Sequence, residues 1–313
     1  MGFLSRSAAQ KGWLAVRVWT DRVCVAHVLP VPEGKPRIVL CQMHTLEGSP
    51  TVLKRLARDL QVRQHKVTCL LNAGEYQLLL VEAPNVAEDE LRAAVRWRIK
   101  EQIDYPVDAA TLDILHVPQD RNNPTRTASV YVAVAHNTLI AARQILLEDA
   151  RFPLSVIDIP ELAQRNLAAC LEEPDRGYAL LSFDAAGGLL TFTCNGGLYL
   201  ARRIDVGFSQ IVLNSEEQRE RVFERIALDV QRTIDHFDRQ FRSIALGQLV
   251  LALIPVACGL ETYLASNLSV SVVTVALDAF FELSAVADSP EWLSAEQQAE
   301  CLLTLGASLR IDP

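Results

Sequence analysis

YALLSFDAAGGLLTFTCNGGLYLARRIDVG, residues 178–207, decides the fold. Three apolar runs, rich in β-branched and aromatic residues, are set apart by two glycine pairs, Gly187-Gly188 and Gly196-Gly197. Short runs broken in this way predict antiparallel strands joined by tight turns. The first turn follows Asp184. A glycine-rich turn that leaves a strand beside an acidic residue can present backbone N–H groups to a phosphate. The same residues also suit a plain β-meander, in which glycine is placed for the turn itself.

Downstream, residues 216–243 carry the strongest helical signal. Val222, Ile226, Val230, Ile234, Phe237 and Phe241 recur at intervals of four, four, four, three and four, which predicts a buried stripe on a helix of about 40 Å. Asp235/Arg239 and Asp238/Arg242 make i, i+4 pairs on the wet side. Asp235 and His236 read as a solvated face, not a catalytic pair. Strands over 249–254 and 270–275, a helix over 260–267 and a closing helix over 294–309 with Ser294 as N-cap complete an α/β layer. The run IALGQLVLALIPVACGL at 244–260 is too short for a membrane span, and Gln248, Pro255 and Gly259 interrupt it. A strand with no polar face suits a sheet covered on both sides.

Upstream, residues 13–28 alternate in the period of two that marks strands. With 38–41 they predict a second meander, followed by a helix over 51–64 and a strand over 67–71. A separate unit follows, in the order β-α-β-β-α-β of a ferredoxin-like subdomain. Its elements are a strand at 77–82, a helix from Asn85 as N-cap to Pro106, strands at 111–117 and 127–135, a helix at 137–150 and a strand at 155–159. The polar segment 119–126 joins the middle strands. Leu91, Val95, Ile99 and Ile103 give the first of these helices its apolar stripe. A helix over 160–172 leads into the second half.

The whole chain has 313 residues, half of them hydrophobic, and a formal charge of −8. That size suits one large or two ordinary domains, and the charge argues against a nucleic-acid partner. Seven cysteines and six histidines are scattered without C-x-x-C or H-E-x-x-H spacing, which predicts a reducing compartment and no metal site. The opening MGFLSRSAAQKGW lacks the apolar region of a secretory signal.

Two halves that each open as a meander and continue as α/β predict the two-domain actin/Hsp70/sugar-kinase architecture. The divisions are 1–165, with the ferredoxin-like βαββαβ insertion at 76–159, and 166–313. Four stretches narrow this. AVRWRIKEQIDYPVDAATLDILHV (94–117), VIDIPELAQRNL (156–167), IALDVQRTIDHF (226–237) and CLLTLGASLR (301–310) together resemble the PilM/MshI family of type IV pilus assembly proteins. The cytoplasmic part of GspL from type II secretion is a more distant relative. The resemblance implies a cytoplasmic scaffold, peripheral to the inner membrane. It would dock the N-terminal tail of a PilN- or MshJ-like membrane protein, with the assembly ATPase as a further candidate partner.

The departures from the family are as informative. Its Asp-x-Gly phosphate turn is replaced by Trp13-Leu14-Ala15-Val16-Arg17. Its second turn, Asp-Ile-Gly, becomes Ser182-Phe183-Asp184, and its adenosine loop becomes Pro255-Val256-Ala257-Cys258-Gly259. Asp184, Gly187, Gly188 and Gly259 are therefore the candidates for a vestigial nucleotide site. ATP is disfavoured as a cofactor, because Pro255 lacks an N–H and Ser182 lacks the carboxylate that would hold hydrated Mg²⁺. Two function classes compete: a non-enzymatic scaffold, and an actin-like ATPase or small-molecule kinase. For the scaffold, the expected wall of the tail-binding groove is the helix over 88–105, with Trp97, Arg98 and Tyr105 as contacts. Trp97 lies off the apolar stripe, so it either meets a partner or is covered by the neighbouring subdomain.

Overall fold

The computed structural model describes residues 12–46, 51–119, 128–213, 215–287 and 292–311. The opening segment up to residue 11 and residues 120–127 of the polar loop lie outside them. β1 (Trp13–Val18), β2 (Arg22–Leu29) and β3 (Arg37–Thr45) form the first meander. α1 (Thr51–Asp59) and β4 (Lys66–Leu70) follow, with β4 parallel to β1. The helix predicted to residue 64 stops at Asp59. Gln61 is left-handed, at φ 49°, which a right-handed helix of L-residues cannot absorb.

The inserted unit has the expected order: β5 (Gln77–Glu82), α2 (Glu88–Ile99), β6 (Ala110–His116), β7 (Ser129–His136), α3 (Asn137–Asp149) and β8 (Leu154–Asp158). Only three of its four strands share a sheet, in the order β5-β7-β6. β8 instead runs parallel to β4 as the edge of the first sheet, so the four-stranded ferredoxin-like sheet is not completed. Leu147, Ala150 and Phe152 are buried with Val67 and Cys69 beneath that sheet, and this packing delivers the following strand to β4. Asn85 is not the cap of α2. Val86 N bonds Pro84 O at 3.0 Å, a tight turn that delays the helix until Glu88, and its N-cap is Ala87. α2 also ends early, at Ile99, and Tyr105 follows in the turns beyond it. Leu91, Val95, Ile99 and Ile103 are nonetheless all buried.

α4 (Pro160–Ala168) leads to the central meander of β9 (Gly177–Asp184), β10 (Gly187–Cys194) and β11 (Gly197–Ile204). The turn residues differ from those expected. Ala185 and Ala186 make the first turn, so Gly187 and Gly188 open β10. The second turn is Asn195-Gly196, at φ 49° and 71°, the pair of positive angles of a type I′ hairpin. The rest comprises α5 (Phe208–Ile211), α6 (Glu216–Gln240), β12 (Leu246–Ala252), α7 (Leu260–Asn267), β13 (Val272–Val275), α8 (Leu277–Phe280) and α9 (Ala295–Ser308). Ser294 caps α9 in a capping box.

The two five-stranded sheets, β3-β2-β1-β4-β8 and β11-β10-β9-β12-β13, have one plan. Each is an antiparallel meander extended, beyond its first strand, by two parallel strands. This is the duplicated actin-like fold. α6 covers the second sheet with Phe223, Ile226, Val230, Ile234 and Phe237, and Phe237 stacks on Phe192 at 4.8 Å. On its wet side Asp235 accepts the Gln231 amide at 2.8 Å; among the described residues the i, i+4 ion pair of this helix is Glu217–Arg221, not the expected Asp235–Arg239 or Asp238–Arg242. α4 and α9 lie between the sheets, joined in one core with residues of both. A Cβ at Gly306 would stand 2.4 Å from Ala163 O, so glycine there lets the two helices touch. α4 connects β8 of the first sheet to β9 of the second. Among the described residues no helix is long and apolar enough to cross a membrane.

Candidate functional site

The two places where phosphate turns were expected, on β1 and after β9, face each other between the two sheets. β1 delivers Arg17 there and the β9–β10 turn delivers Asp184. Arg17 Nη2 donates to Asp184 Oδ2 at 3.1 Å, with side-chain exposures of 2% and 16%. Arg17 Nε donates to Asn72 Oδ1 at 3.0 Å, and its guanidinium lies 4.7 Å from the Trp19 ring centre. Asn72 is held in turn by its own donation to Val18 O at 2.7 Å. Asp184 Oδ1 accepts the turn amides of Ala186 and Gly187 at 2.8 and 3.2 Å. Backbone donors that could face a phosphate therefore face the protein's own carboxylate.

Several neighbouring polar groups are likewise matched within the chain, although the buried Arg17 Nη1 has no hydrogen-bond partner. Ser182 Oγ donates to Gln164 Oε1 at 2.5 Å. The Gln164 amide donates to Leu180 O, Leu189 O and Thr191 Oγ1 at 2.7–3.1 Å. Arg203 donates to Glu161 at 3.0 Å and to the Tyr76 hydroxyl at 2.6 Å, and Tyr76 donates to Glu161. Burial, reinforced by the Glu161 carboxylate, pushes the Tyr76 phenol well above its ordinary value, so it remains a neutral donor. Between Arg17, Asp184, Gly187, Arg203 and Glu300 the free volume is about 10 Å³, room for about one water.

Asp184 and Gly187 line this space, whereas Gly188 and Gly259 do not. The two strand glycines serve close packing. A Cβ at Gly187 would meet Ile204 O at 2.9 Å, and one at Gly188 the Phe183 ring at 2.7 Å. Gly259 caps α7 in a left-handed turn at φ 89°, with no atom within 4 Å of a built Cβ. Arg17, Asn72, Gln164 and Glu161 were not legible as site residues, because their partners lie in the other half of the chain or far along it. A charged residue alternating into the buried face of β1 was the one local signal.

A second concavity, of about 850 Å³, runs between the inserted unit and the first sheet. Thr111, Leu112 and Asp113 of β6, Ala133 and Ala135 of β7, Gln144 and Glu148 of α3, and residues 154–157 of β8 line it. β6 and β8 are both edge strands, so two strand edges border one groove. Of α2 only Arg92 reaches it, donating to Leu112 O. Trp97, Arg98 and Tyr105, the expected contacts, do not line this groove. Trp97 is 73% exposed, on the side of α2 away from Val95 and Ile99, with Lys100 Nζ 5.5 Å from its ring centre. The neighbouring subdomain leaves it uncovered. Arg98 pairs with Glu82 at 3.7 Å, and Tyr105 packs edge-on against His136 at 4.9 Å.

Three cysteines far apart in sequence, Cys24, Cys41 and Cys301, also converge in the interior, where their spacing predicted no cluster.

No family model matches the chain, and no curated protein matches it. Among solved structures it is similar to a chain of the PilM–PilN type IV pilus biogenesis complex, at 18% identity and TM-score 0.69, over 96% of this chain and 99% of that one. The cytoplasmic domain of EpsL, an inner-membrane component of the type II secretion system of Vibrio cholerae, aligns at 15% identity and TM-score 0.49, over 94% of each chain. A Bacteroides thetaiotaomicron protein with an actin-like ATPase fold aligns at 9% identity and TM-score 0.46, over 90% of this chain and 96% of that one. The first likeness establishes the fold: the chain shares the architecture of the PilM–PilN structure along nearly its whole length.

Proposed function

We propose that this chain is a non-enzymatic scaffold of type IV pilus biogenesis, of the MSHA type, at the cytoplasmic face of the inner membrane. Its groove receives the extended N-terminal tail of a PilN- or MshJ-like membrane protein. The observation that carries this reading is the 850 Å³ groove bordered by the edges of β6 and β8. A peptide laid along a strand edge gains main-chain hydrogen bonds, while side-chain depressions select its sequence. The likeness to the PilM–PilN complex supports a partner of that kind. The 10 Å³ cleft supports the non-enzymatic part, since small-molecule sites enclose about 300–1,000 Å³.

A fluorescently labelled synthetic tail tests the groove by anisotropy. Saturable binding is expected at the micromolar level, because ordering the tail offsets part of the contact energy. Thr111→Trp, which fills the groove, abolishes binding, and Trp97→Ala leaves it unchanged. Loss with Trp97→Ala but not Thr111→Trp places the site on the outer face of α2 and refutes the groove. Mg-ATP at millimolar concentration is expected to leave the melting temperature unchanged, whereas a ligand at 100 times its Kd stabilises by about 2.7 kcal/mol. A saturating rise would restore the ATPase reading.

A further inference from the structure

Two strands and a helix bring three thiols to one point. Cys24 pairs in register with Met43, and Cys41 with Ala26, so the two cysteines are diagonal neighbours on one face of the first sheet. α9 lies on that face and sets Cys301 beside both. The three sulfurs lie within 4.8 Å of one another, and Cys24 Sγ is 2.9 Å from Cys301 Sγ. All three are buried. A second observation points to a ligand. Thr304, three residues along α9 from Cys301, is fully buried, and its hydroxyl meets no partner better than a thiol. It stands against the Cys24 thiol. A thiol is a weak partner for a buried hydroxyl, and the position of Thr304 against Cys24 makes it the candidate fourth donor beside the three sulfurs.

We propose that Cys24, Cys41 and Cys301, with the Thr304 hydroxyl, form a closed structural site for one Zn²⁺ ion. Thiolates select soft d¹⁰ cations, and structural zinc is tetrahedral with every position filled. Zn–S bonds of about 2.3 Å set the sulfurs about 3.8 Å apart. Binding would require Cys24 and Cys301, now 2.9 Å apart, to separate by about 1 Å. Charge favours a divalent ion. Three thiolates around Zn²⁺ leave a single negative charge, beside Arg17, which pairs in register with Cys24; Cu⁺ would leave two. Loading releases the three thiol protons to solvent, one for each Zn–S bond formed. The ion would tie β2 and β3 to α9, which arrives from the far end of the chain.

The full-length protein, expressed with added zinc and purified with a non-thiol reductant and no chelator, is expected to contain one zinc per chain by elemental mass spectrometry. Unfolded, stripped with chelator and refolded with Zn²⁺, it regains one equivalent, and its melting temperature rises until that equivalent is bound. Refolding with Co²⁺ gives thiolate-to-cobalt charge-transfer absorption. Cys41→Ser and Cys301→Ser lose the metal, whereas Cys194→Ser, in the second half, keeps it. Thr304→Val lowers zinc affinity at least tenfold. The wild-type measurements decide the matter whatever the folding of the variants. Absence of zinc both as purified and after refolding overturns the proposal. So does uptake of Cu⁺ in place of zinc, or an intact mass two hydrogens lower with Cys24 linked to Cys301.

Discussion

Replacing Asp184 by asparagine separates the charge of the cleft pair from its geometry. The substituted side chain would keep an oxygen for the amides of Ala186 and Gly187, now 2.8 and 3.2 Å from Asp184 Oδ1. What disappears is the charge opposite Arg17. At 3.1 Å and an effective dielectric of about 20, the Coulomb attraction is about 5 kcal/mol. The cost of desolvating both ions offsets much of this in the intact pair. In the variant that cost remains for Arg17, almost wholly buried, with its attraction gone, so Asp184→Asn is expected to destabilise by about 3–5 kcal/mol. Arg17→Met behaves differently. It puts an apolar chain in a buried position and leaves a carboxylate that is partly exposed and still held by two amides, at a cost of about 1 kcal/mol. Combining the two should therefore be more stable than Asp184→Asn alone, by at least about 2 kcal/mol. Equilibrium urea melts followed by tryptophan fluorescence measure all four corners of the cycle. If Asp184→Asn costs less than about 1 kcal/mol, or if its cost is undiminished in the Arg17→Met background, the cleft is not held shut by this pair.

Phe237→Ala should cost about 3–5 kcal/mol, since its ring is buried and stacked on Phe192. Asp235→Ala, on the exposed face, should cost well under about 1 kcal/mol; equal urea midpoints would reverse the helix faces. Burial pushes the Tyr131 phenol up to about 12, where its oxygen accepts Ala201 N at 3.0 Å and ties the inserted unit to β11. The raised value means the folded state holds the proton longer. Its stability is intact below the ordinary phenol range near 10 and falls by about 2.7 kcal/mol as pH rises to about 12. Tyr131→Phe should remove that part of the alkaline loss, and parallel pH profiles for the two proteins would refute it. Gly306→Ala places a methyl 2.4 Å from Ala163 O and should lower stability by about 1–3 kcal/mol or more. Gly196→Ala, left-handed but unobstructed, should cost about 1–2 kcal/mol. Thermal melts that rank them the other way would show that α4 and α9 are free to separate.

Elements whose partners are neighbours in sequence were the legible ones. The central meander announced itself through alternation, and the long helix through Ile226, Val230, Ile234 and Phe237. What failed was the assignment of strands to sheets. The motif β-α-β-β-α-β was correct as an order, yet β8 pairs with β4, a choice made by Phe152 and Leu147 beneath the first sheet. Element ends failed where backbone, not side-chain pattern, decides: the left-handed Gln61 and the Pro84–Val86 turn left no apolar signature. The sequence singled out Asp184 through its turn, but not its partner, because Arg17 lies 167 residues away. A groove beside the inserted unit was expected from the family resemblance, but the strands that border this one were not legible, for the same reason. It is bounded by β6 and β8, which belong to different sheets, whereas the aromatic and basic residues that caught the eye on α2 face elsewhere.

The position of α9 bears on how the chain is made. Its residues from Cys301 to Ser308 are buried on every side, and they cover the face of the first sheet that carries Ala15, Cys24, Ala26 and Cys41. That sheet emerges from the ribosome early and its cover emerges late. At about 5–20 residues per second, the interval between residue 41 and residue 308 is roughly 15–50 s. Throughout it the nascent first half carries an uncovered apolar surface on strands that favour edge-to-edge association. Translation of this protein should therefore occupy holdase chaperones for most of its duration. A premature stop before residue 295 should yield not a shorter working unit but a substrate for proteolysis.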